Sequence, residues 1–164
     1  MPEELIWTTP LGVVLARAYN GKLGGLTFLD EGQQLNAETE VSEHQASNKA
    51  VLALTRQQLS EYFARQRQAF SVPLHLEGTP FQQSVWQALQ SIPYGHTRSY
   101  QEQAQQMRQA SAIRAIAAAN GRNPIAVLVP CHRVLGAGGK LTGYSGGLWR
   151  KQALLDLERP GLFG

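Results

Sequence analysis

Three short apolar runs open the chain, and turn residues separate them. The runs cover residues 5–7, 13–19 and 23–29, with Thr9-Pro10-Leu11-Gly12 after the first and Asn20-Gly21 after the second. Asn-Gly is the strongest short signal for a β-hairpin, because both residues tolerate a positive φ. The pattern therefore predicts a small antiparallel sheet.

A helix and one more strand are predicted after this sheet. Residues 30–44 are polar and acidic, and we expect a loop there. Residues 48–65 repeat apolar side chains near the 3.6-residue period, which predicts a helix with one buried face. Residues 70–76 alternate apolar and polar positions, which predicts a strand, and Pro73 within it favours a sheet edge. Residues 1–77 form a first domain in this interpretation, with no evident catalytic constellation.

The second half of the chain predicts short helices with clear start signals. Thr79-Pro80-Phe81-Gln82 and Ser99-Tyr100-Gln101-Glu102 are capping boxes, in which side chains satisfy the free N–H groups of a helix start. A tight break at residues 108–110 precedes a third helix, residues 112–119, which Ser111 can cap. This spacing is typical of a helix-turn-helix, although a packed helical hairpin has the same spacing.

A continuous apolar run, residues 125–129, leads directly to Pro130-Cys131-His132-Arg133. The run predicts a buried strand with the cysteine at its end. A thiol is a good nucleophile only as the thiolate, and a nearby histidine can favour that form. A lone cysteine is nevertheless more often a small buried hydrophobe, so the motif alone leaves both interpretations open. Two glycine-rich segments and a last helix, residues 148–157, follow.

Composition narrows the class of protein. The 164 residues are 43% hydrophobic and 16% charged, which is typical of a globular chain and not of a disordered one. The single cysteine excludes an internal disulfide, a four-cysteine zinc site and an iron–sulfur cluster, and the histidines lack ligand spacing. The first residues have neither a basic nor an apolar region, so we expect no secretory signal, and no apolar stretch comes near the ~20 residues of a membrane helix. We therefore expect a cytoplasmic protein that binds neither metal nor membrane.

Charge divides the chain into two unlike halves. Residues 1–79 carry six Lys or Arg and nine Asp or Glu, whereas residues 80–164 carry nine and three. The first half is therefore acidic and the second is strongly basic. Such asymmetry favours a polyanionic partner for the second half, and nucleic acid is the first candidate.

Several segments of the second half, in order, carry a resemblance to a known family. They are residues 92–95, 97–100, 114–115, 118–124, 130–134, 142–147 and 150–151. Together they resemble the O6-alkylguanine-DNA alkyltransferases, also called methylated-DNA–protein-cysteine methyltransferases, whose active-site motif is PCHRV. The resemblance covers about residues 79–158. The chain departs from it before the recognition helix, where the family usually has glycine and proline and this chain has Arg108 and Ala110.

The resemblance implies a fold and a function. The fold is α/β, with a small ribonuclease-H-like α/β domain at residues 1–77 and a winged-helix-like (helix-turn-helix) domain at residues 78–164. The function is direct reversal of DNA damage, in which Cys131 permanently accepts the alkyl group of O6-alkylguanine, with O4-alkylthymine as a lesser substrate. The reaction is stoichiometric and needs no cofactor. The partner is double-stranded DNA, bound through the minor groove by a monomer with a flipped base, and clustering along DNA stays open.

The resemblance also implies a role for each site residue. Cys131 is the nucleophile, His132 takes its proton through a water, Glu158 orients the histidine, and Asn123 holds the turn that places the cysteine. The residues implied to bind the substrate base are Tyr100, Tyr144, Ser145 and Lys151. The residues implied to contact DNA are Ser99, Arg114, Ala115 and Arg122.

Three other functions stay open from the sequence. A lesion sensor can share the scaffold without a reactive cysteine. A cysteine hydrolase could use Cys131, His132 and Glu158, although it would need an oxyanion hole. A helix-turn-helix regulator would bind a specific DNA sequence and ignore damage. Glu158 could also be a solvated surface charge, because its distance from His132 cannot be seen in the sequence.

Overall fold

The computed structural model describes residues 2–30 and 46–160 of the chain. The chain divides into two compact units, Met1–Leu76 and Glu77–Gly164. Most of the predicted acidic loop lies outside the described residues. Within the described ranges, no helix combines the length and the apolar character needed to cross a bilayer.

In its described residues, the first unit is a three-stranded antiparallel sheet with one helix packed against it. The strand Gly12–Tyr19 lies in the middle, and buried and exposed positions alternate along the strands, as expected for a sheet with one covered face. At the Asn20-Gly21 turn both residues have positive φ, 50° and 79°, as the sequence predicts. The helix buries Leu52, Leu59 and Tyr62 toward the strands. The elements are β1 (Glu3–Thr9), β2 (Gly12–Tyr19), β3 (Lys22–Leu29) and α1 (Ala46–Phe63).

The predicted strand at residues 70–76 is wrong as a strand. The segment is extended, and Val72 is buried as the alternation requires, but it pairs with the sheet at one point only. That point is a parallel bridge between Leu74 and Leu23, where the Leu23 amide donates to the Pro73 carbonyl over 2.8 Å. The alternation of apolar and polar residues therefore predicted which side chains face inward. It did not predict how many backbone groups form hydrogen bonds with the sheet.

The described part of the second unit, residues 77–160, contains four α-helices and a short pair of parallel strands. Both predicted capping boxes are present, with Thr79 and Ser99 as the N-caps. The Trp86 indole N–H donates to the Ala119 carbonyl over 2.9 Å and ties the first of these helices to the third. The elements are α2 (Pro80–Gln90), β4 (Arg98–Ser99), α3 (Tyr100–Gln106), α4 (Ile113–Gly121), β5 (Val134–Leu135) and α5 (Leu148–Glu158).

Helices α3 and α4 form the predicted helix-turn-helix. The turn between them places Arg108 at φ 57°, the left-handed conformation that favours glycine. The Gln109 amide donates to the Ala104 carbonyl over 2.9 Å, which closes the end of α3. The prediction that Ser111 caps α4 is wrong: the N-cap is Ala112, and it makes no side-chain capping bond.

A reciprocal amide pair joins the two helices in their interior. Gln103 Nε2 donates to Asn120 Oδ1 over 3.0 Å, and Asn120 Nδ2 donates to Gln103 Oε1 over 2.8 Å. Both side chains are buried. The pair requires one relative placement of α3 and α4, because its two bonds form only in a matched orientation.

The predicted buried strand at residues 125–129 is also wrong. The segment is buried, but it folds into tight turns, with the Val129 amide donating to the Ile125 carbonyl over 3.1 Å. Val127 takes a φ of 69°, an unusual value for a β-branched residue. A short apolar run indicates burial without fixing the backbone conformation. The cysteine consequently lies in a 3₁₀ turn, Cys131–Arg133, and not at the end of a strand.

Candidate active site

Asn123 organises the turn that presents Cys131. Its Nδ2 donates to the Val129 carbonyl over 2.7 Å and to Cys131 Sγ over 3.3 Å. Its Oδ1 accepts from the Ile125 amide over 3.0 Å. One side chain therefore holds both ends of the folded segment and also contacts the sulfur.

Behind the cysteine, His132 and Arg133 share one buried carboxylate. His132 Nε2 lies 2.7 Å from Glu158 Oε2. Arg133 donates through Nε to Glu158 Oε1 over 2.8 Å and through Nη2 to Oε2 over 3.0 Å. A two-pronged guanidinium–carboxylate contact is both strong and directional. Glu158 is thus a buried partner of His132 and not a solvated surface charge.

The electrostatics of this trio favour a neutral histidine. Burial lowers the pKa of His132, and the charges of Arg133 and Lys151 lower it further, against the opposing carboxylate. Burial alone would raise the pKa of Glu158, but the charges and hydrogen bonds of His132 and Arg133 outweigh it and hold that pKa well below its usual range. The ionised carboxylate therefore accepts the Nε2–H bond. Nδ1 is left as an acceptor, buried and with no hydrogen-bond partner in the described parts of the chain.

The cysteine itself rests as a thiol. Burial raises the pKa of Cys131, and the Asn123 hydrogen bond and the Lys151 charge offset this only in part. The ordinary pKa of a thiol, about 8.5, already lies above neutral pH, so a thiol whose pKa is raised further is protonated at pH 7. Cys131 therefore needs a base at the moment of reaction, and His132 Nδ1 is a basic nitrogen next to it in the chain.

A cavity of about 240 Å³ opens over the cysteine. Helices α3 and α4 form one side, and the glycine-rich loop at residues 143–147 forms the other. The Tyr144 hydroxyl is buried there without a partner in the described ranges, and burial raises the pKa of Tyr144. The phenol therefore stays a hydrogen-bond donor. The lining residues are Tyr100, Ala117, Asn120, Gly121, Cys131, Gly143, Tyr144 and Ser145.

Lys151 holds the start of the loop that forms one side of this cavity. Its Nζ donates to the Thr142 carbonyl over 2.7 Å and contacts the Gly143 carbonyl at 3.4 Å. The Tyr100 hydroxyl donates to the same Thr142 carbonyl over 3.4 Å, so α3 and the loop meet there. Burial lowers the pKa of Lys151 to about 8, so a large share of the population stays charged at neutral pH.

The expected DNA-contacting residues lie apart from the cavity or on its outer side. Arg114 and Ala115 are exposed in the first turn of α4, and Arg122 is exposed just after its end. Ser99 differs from them, because its hydroxyl accepts the Glu102 amide over 3.0 Å as the cap of α3. No aspartate or glutamate occurs between residues 103 and 155, so this surface is basic.

Sequence reasoning missed the part that Arg133 plays. The side chain is buried, pairs with Glu158, and donates through Nη1 to the Ile92 carbonyl over 2.7 Å. Its place inside the PCHRV segment was the available signal, but the partner lies 25 residues away in the sequence. The Gln103–Asn120 pair was missed for the same reason.

Comparison with known proteins agrees with this fold and this site. A family model described as "6-O-methylguanine DNA methyltransferase, DNA binding domain" matches residues 80–160. A second, described as the ribonuclease-like domain of the same family, matches residues 9–76. The two-domain α/β fold expected from the sequence is thereby confirmed.

Individual relatives match along most of the chain. A methylated-DNA–protein-cysteine methyltransferase of Mycobacterium bovis is 46% identical over 151 residues, covering 92% of this chain and 88% of the relative. A constitutive one of Bacillus subtilis is 43% identical over 152 residues, covering 92% of each. A crystal structure of Mycobacterium tuberculosis OGT in complex with DNA superposes with a TM-score of 0.81 at 44% identity, covering 94% of this chain and 91% of the other.

The fold and site together define a helix-turn-helix protein whose half-buried cysteine lies in the wall of a small cavity, next in the chain to a histidine that is paired with a carboxylate. The sequence identity of these matches, and the share of the chain that they cover, then show its family. The chain belongs to the 6-O-methylguanine DNA methyltransferase family.

Proposed function

We propose that this protein repairs O6-alkylguanine in double-stranded DNA by moving the alkyl group onto Cys131, once and irreversibly. The observation that carries the proposal is the position of Cys131 in the wall of the cavity, next to the His132–Glu158 pair. The family membership supports the same reaction. A single free thiol is suited to a reducing compartment, and we place the activity in the cytoplasm.

The reaction needs one proton transfer and one displacement. His132 Nδ1 takes the Cys131 proton, through a water, and the sulfur attacks the alkyl carbon. The S–C bond forms as the C–O6 bond breaks, and the electron pair of that bond goes to the guanine. The purine receives a proton from the donors of the pocket, with Tyr100 at the ring and Ser145 at O6, and leaves as ordinary guanine. The proton on His132 then restores the donor. The thioether is stable, so each molecule reacts once.

DNA must deliver its base into the cavity for this reaction. The damaged atom lies inside the duplex, so the nucleotide has to flip out, at a cost of a few kcal/mol. Helix α4 presents the small side chain of Ala115 next to Arg114, a combination that suits the minor groove. Arg114 fills the stack that the base leaves, and Arg122 contacts phosphate. Phosphate contacts give affinity in any sequence, as repair requires, and a monomer suffices. O4-alkylthymine is a lesser substrate in this proposal.

Intact-protein mass is the direct test. The protein is mixed with equimolar duplex DNA that contains one O6-methylguanine, and Cys131→Ala is run beside it. We expect the wild-type chain alone to gain one methyl group, mapped to Cys131. Lesion-selective binding without a mass gain would identify a sensor instead. Turnover of a thioester would identify a hydrolase, and sequence-specific binding that ignores the lesion would identify a regulator.

A further inference from the structure

Trp149 is the most exposed large apolar side chain among the described residues. Its exposed fraction is 58%, whereas Trp7 and Trp86 are buried. It lies in the first turn of α5, directly after the glycine-rich loop. Its ring stacks on the guanidinium of Arg150, with 4.5 Å from Cζ to the ring centre. Arg150 is only 3% exposed, so the indole helps to shield a charged group that would otherwise be hydrated.

Both residues contact the outer side of the loop at residues 143–147. Arg150 Nη1 donates to the Gly146 carbonyl over 2.9 Å. The indole covers Gly147 so closely that a Cβ built there would lie 3.2 Å from Trp149 Cδ1. Gly147 also has a φ of 94°, which only glycine adopts readily. The opposite side of the same loop supplies Tyr144 to the cavity.

We propose that Trp149 and Arg150 clamp this loop from outside and thereby set the position of the residues that receive the substrate base. The inference rests on the proposed function, since it concerns the same pocket. Neither side chain lines the cavity, so both are positioning residues.

The physical need for a clamp follows from the composition of the loop. Three of its five residues are glycines, which have the largest conformational freedom of any residue. Within the loop, the Gly147 amide donates to the Tyr144 carbonyl over 2.9 Å. Arg150 and Trp149 add a hydrogen bond and a covering surface from a rigid helix. The Arg150 charge also acts on Tyr144, whose pKa it lowers against the larger effect of burial.

The test compares three single variants with the wild type. Trp149→Ala removes the ring, Trp149→Phe keeps an aromatic face, and Leu148→Ala is a matched control, because Leu148 is the 46% exposed neighbour. Single-turnover transfer from O6-methylguanine duplex DNA gives the transfer rate constant and the DNA dissociation constant separately. Hydrogen exchange of the free protein gives the opening of residues 143–147 without any substrate.

We expect Trp149→Ala to lower the transfer rate constant about fivefold, with the dissociation constant unchanged. That factor corresponds to about 1 kcal/mol, the size of one cation–π contact. Exchange in the loop should become faster by a similar factor. Trp149→Phe should recover most of both losses, and Leu148→Ala should behave as the wild type.

Two results would overturn the clamp. A raised dissociation constant with an unchanged rate constant and unchanged loop exchange would make Trp149 a DNA contact. Equal behaviour of Trp149→Ala and Leu148→Ala in all measurements would leave Trp149 without a role in the loop. If the wild type transferred no methyl group, the proposed function would fail, and loop exchange would still decide whether the clamp exists.

Discussion

At the scale of single residues, His132 and Glu158 show how burial and charge tune chemistry. The carboxylate is held ionised by Arg133 and accepts the histidine N–H, which leaves the other ring nitrogen free to act as a base. A charged histidine at rest could not take the cysteine proton. The low pKa of His132 is therefore a condition of the proposed reaction as much as a result of burial.

The same two groups predict a loss of stability in acid. The ordinary pKa of histidine is 6.5 and that of glutamate is 4.5, and both pKa values are lower in the folded protein. The unfolded chain therefore binds more protons, so the free energy of unfolding falls as the pH drops below 6.5 and again below 4.5. Urea denaturation at several pH values measures this slope. In His132→Gln, the decrease in the free energy of unfolding that begins at pH 6.5 should be absent.

The exposed residue His96 supplies the control for that experiment, because His96→Gln also removes one histidine. The free energy of unfolding of the His96→Gln variant should change with pH as that of the wild type does. A wild-type free energy of unfolding that stays constant from pH 7 to 5 would contradict the neutral, buried state of His132.

Arg108 occupies the left-handed backbone conformation, which an arginine side chain disfavours. The family's usual glycine suits the left-handed position after α3, and arginine there costs roughly 1 kcal/mol. The turn nevertheless forms, and the bond from the Gln109 amide to the Ala104 carbonyl closes it. The substitution adds a positive charge to a surface that is already basic.

At the scale of elements, the helix-turn-helix depends on the buried pair Gln103 and Asn120. Gln103→Leu leaves the Asn120 amide buried without this partner, and we expect the free energy of unfolding to fall by about 2 kcal/mol. Gln103→Leu/Asn120→Leu replaces both amides by apolar groups and should recover at least half of that loss. Urea denaturation of the three proteins measures these differences.

Gln101→Leu is the matched control, because Gln101 lies on the exposed side of the same helix. Its effect should stay within about 0.5 kcal/mol. A double variant that is less stable than Gln103→Leu would mean that each amide acts through other contacts and not through the pair.

At the scale of the whole molecule, charge is concentrated where DNA is expected to bind. The binding constant for undamaged duplex DNA should fall as the salt concentration rises. A plot of the logarithm of the binding constant against the logarithm of the salt concentration should have a slope of about −0.9 for each phosphate that the protein contacts. Arg122→Ala should reduce that slope by about 0.9. Arg56→Ala removes an exposed arginine from α1 in the first unit and should leave the slope unchanged. Equal slopes for both variants would contradict a DNA-binding surface around α4. Fluorescence anisotropy across a salt series measures them.

Local signals predicted the elements of this molecule well. The two capping boxes and the Asn20-Gly21 turn depend on neighbours within a few residues, and each is present. The segment at residues 125–129 was mispredicted because hydrophobicity shows that a segment is buried and gives no backbone path. Its actual path depends on Asn123, whose amide bonds reach from one end of the segment to the other.

Long-range contacts could not be predicted from residues alone. The bonds from Glu158 to His132 and Arg133 join positions 26 and 25 residues apart. Only the family resemblance suggested the first of them, and nothing suggested the second. Arg150 was noted only as part of the family resemblance, and Trp149 escaped notice because an exposed aromatic at a helix start carries no local signature of what it covers.

The protonated resting state of Cys131 has a consequence for a protein that works once. Oxidants and small electrophiles in the cell react mainly with thiolates. A nucleophile kept as a half-buried, protonated thiol is a poor target for them, so few molecules are used up by chance encounters. Reactivity appears only when a substrate fills the cavity and places carbon next to sulfur. The raised pKa of Cys131 thus protects a stock of single-use molecules between lesions.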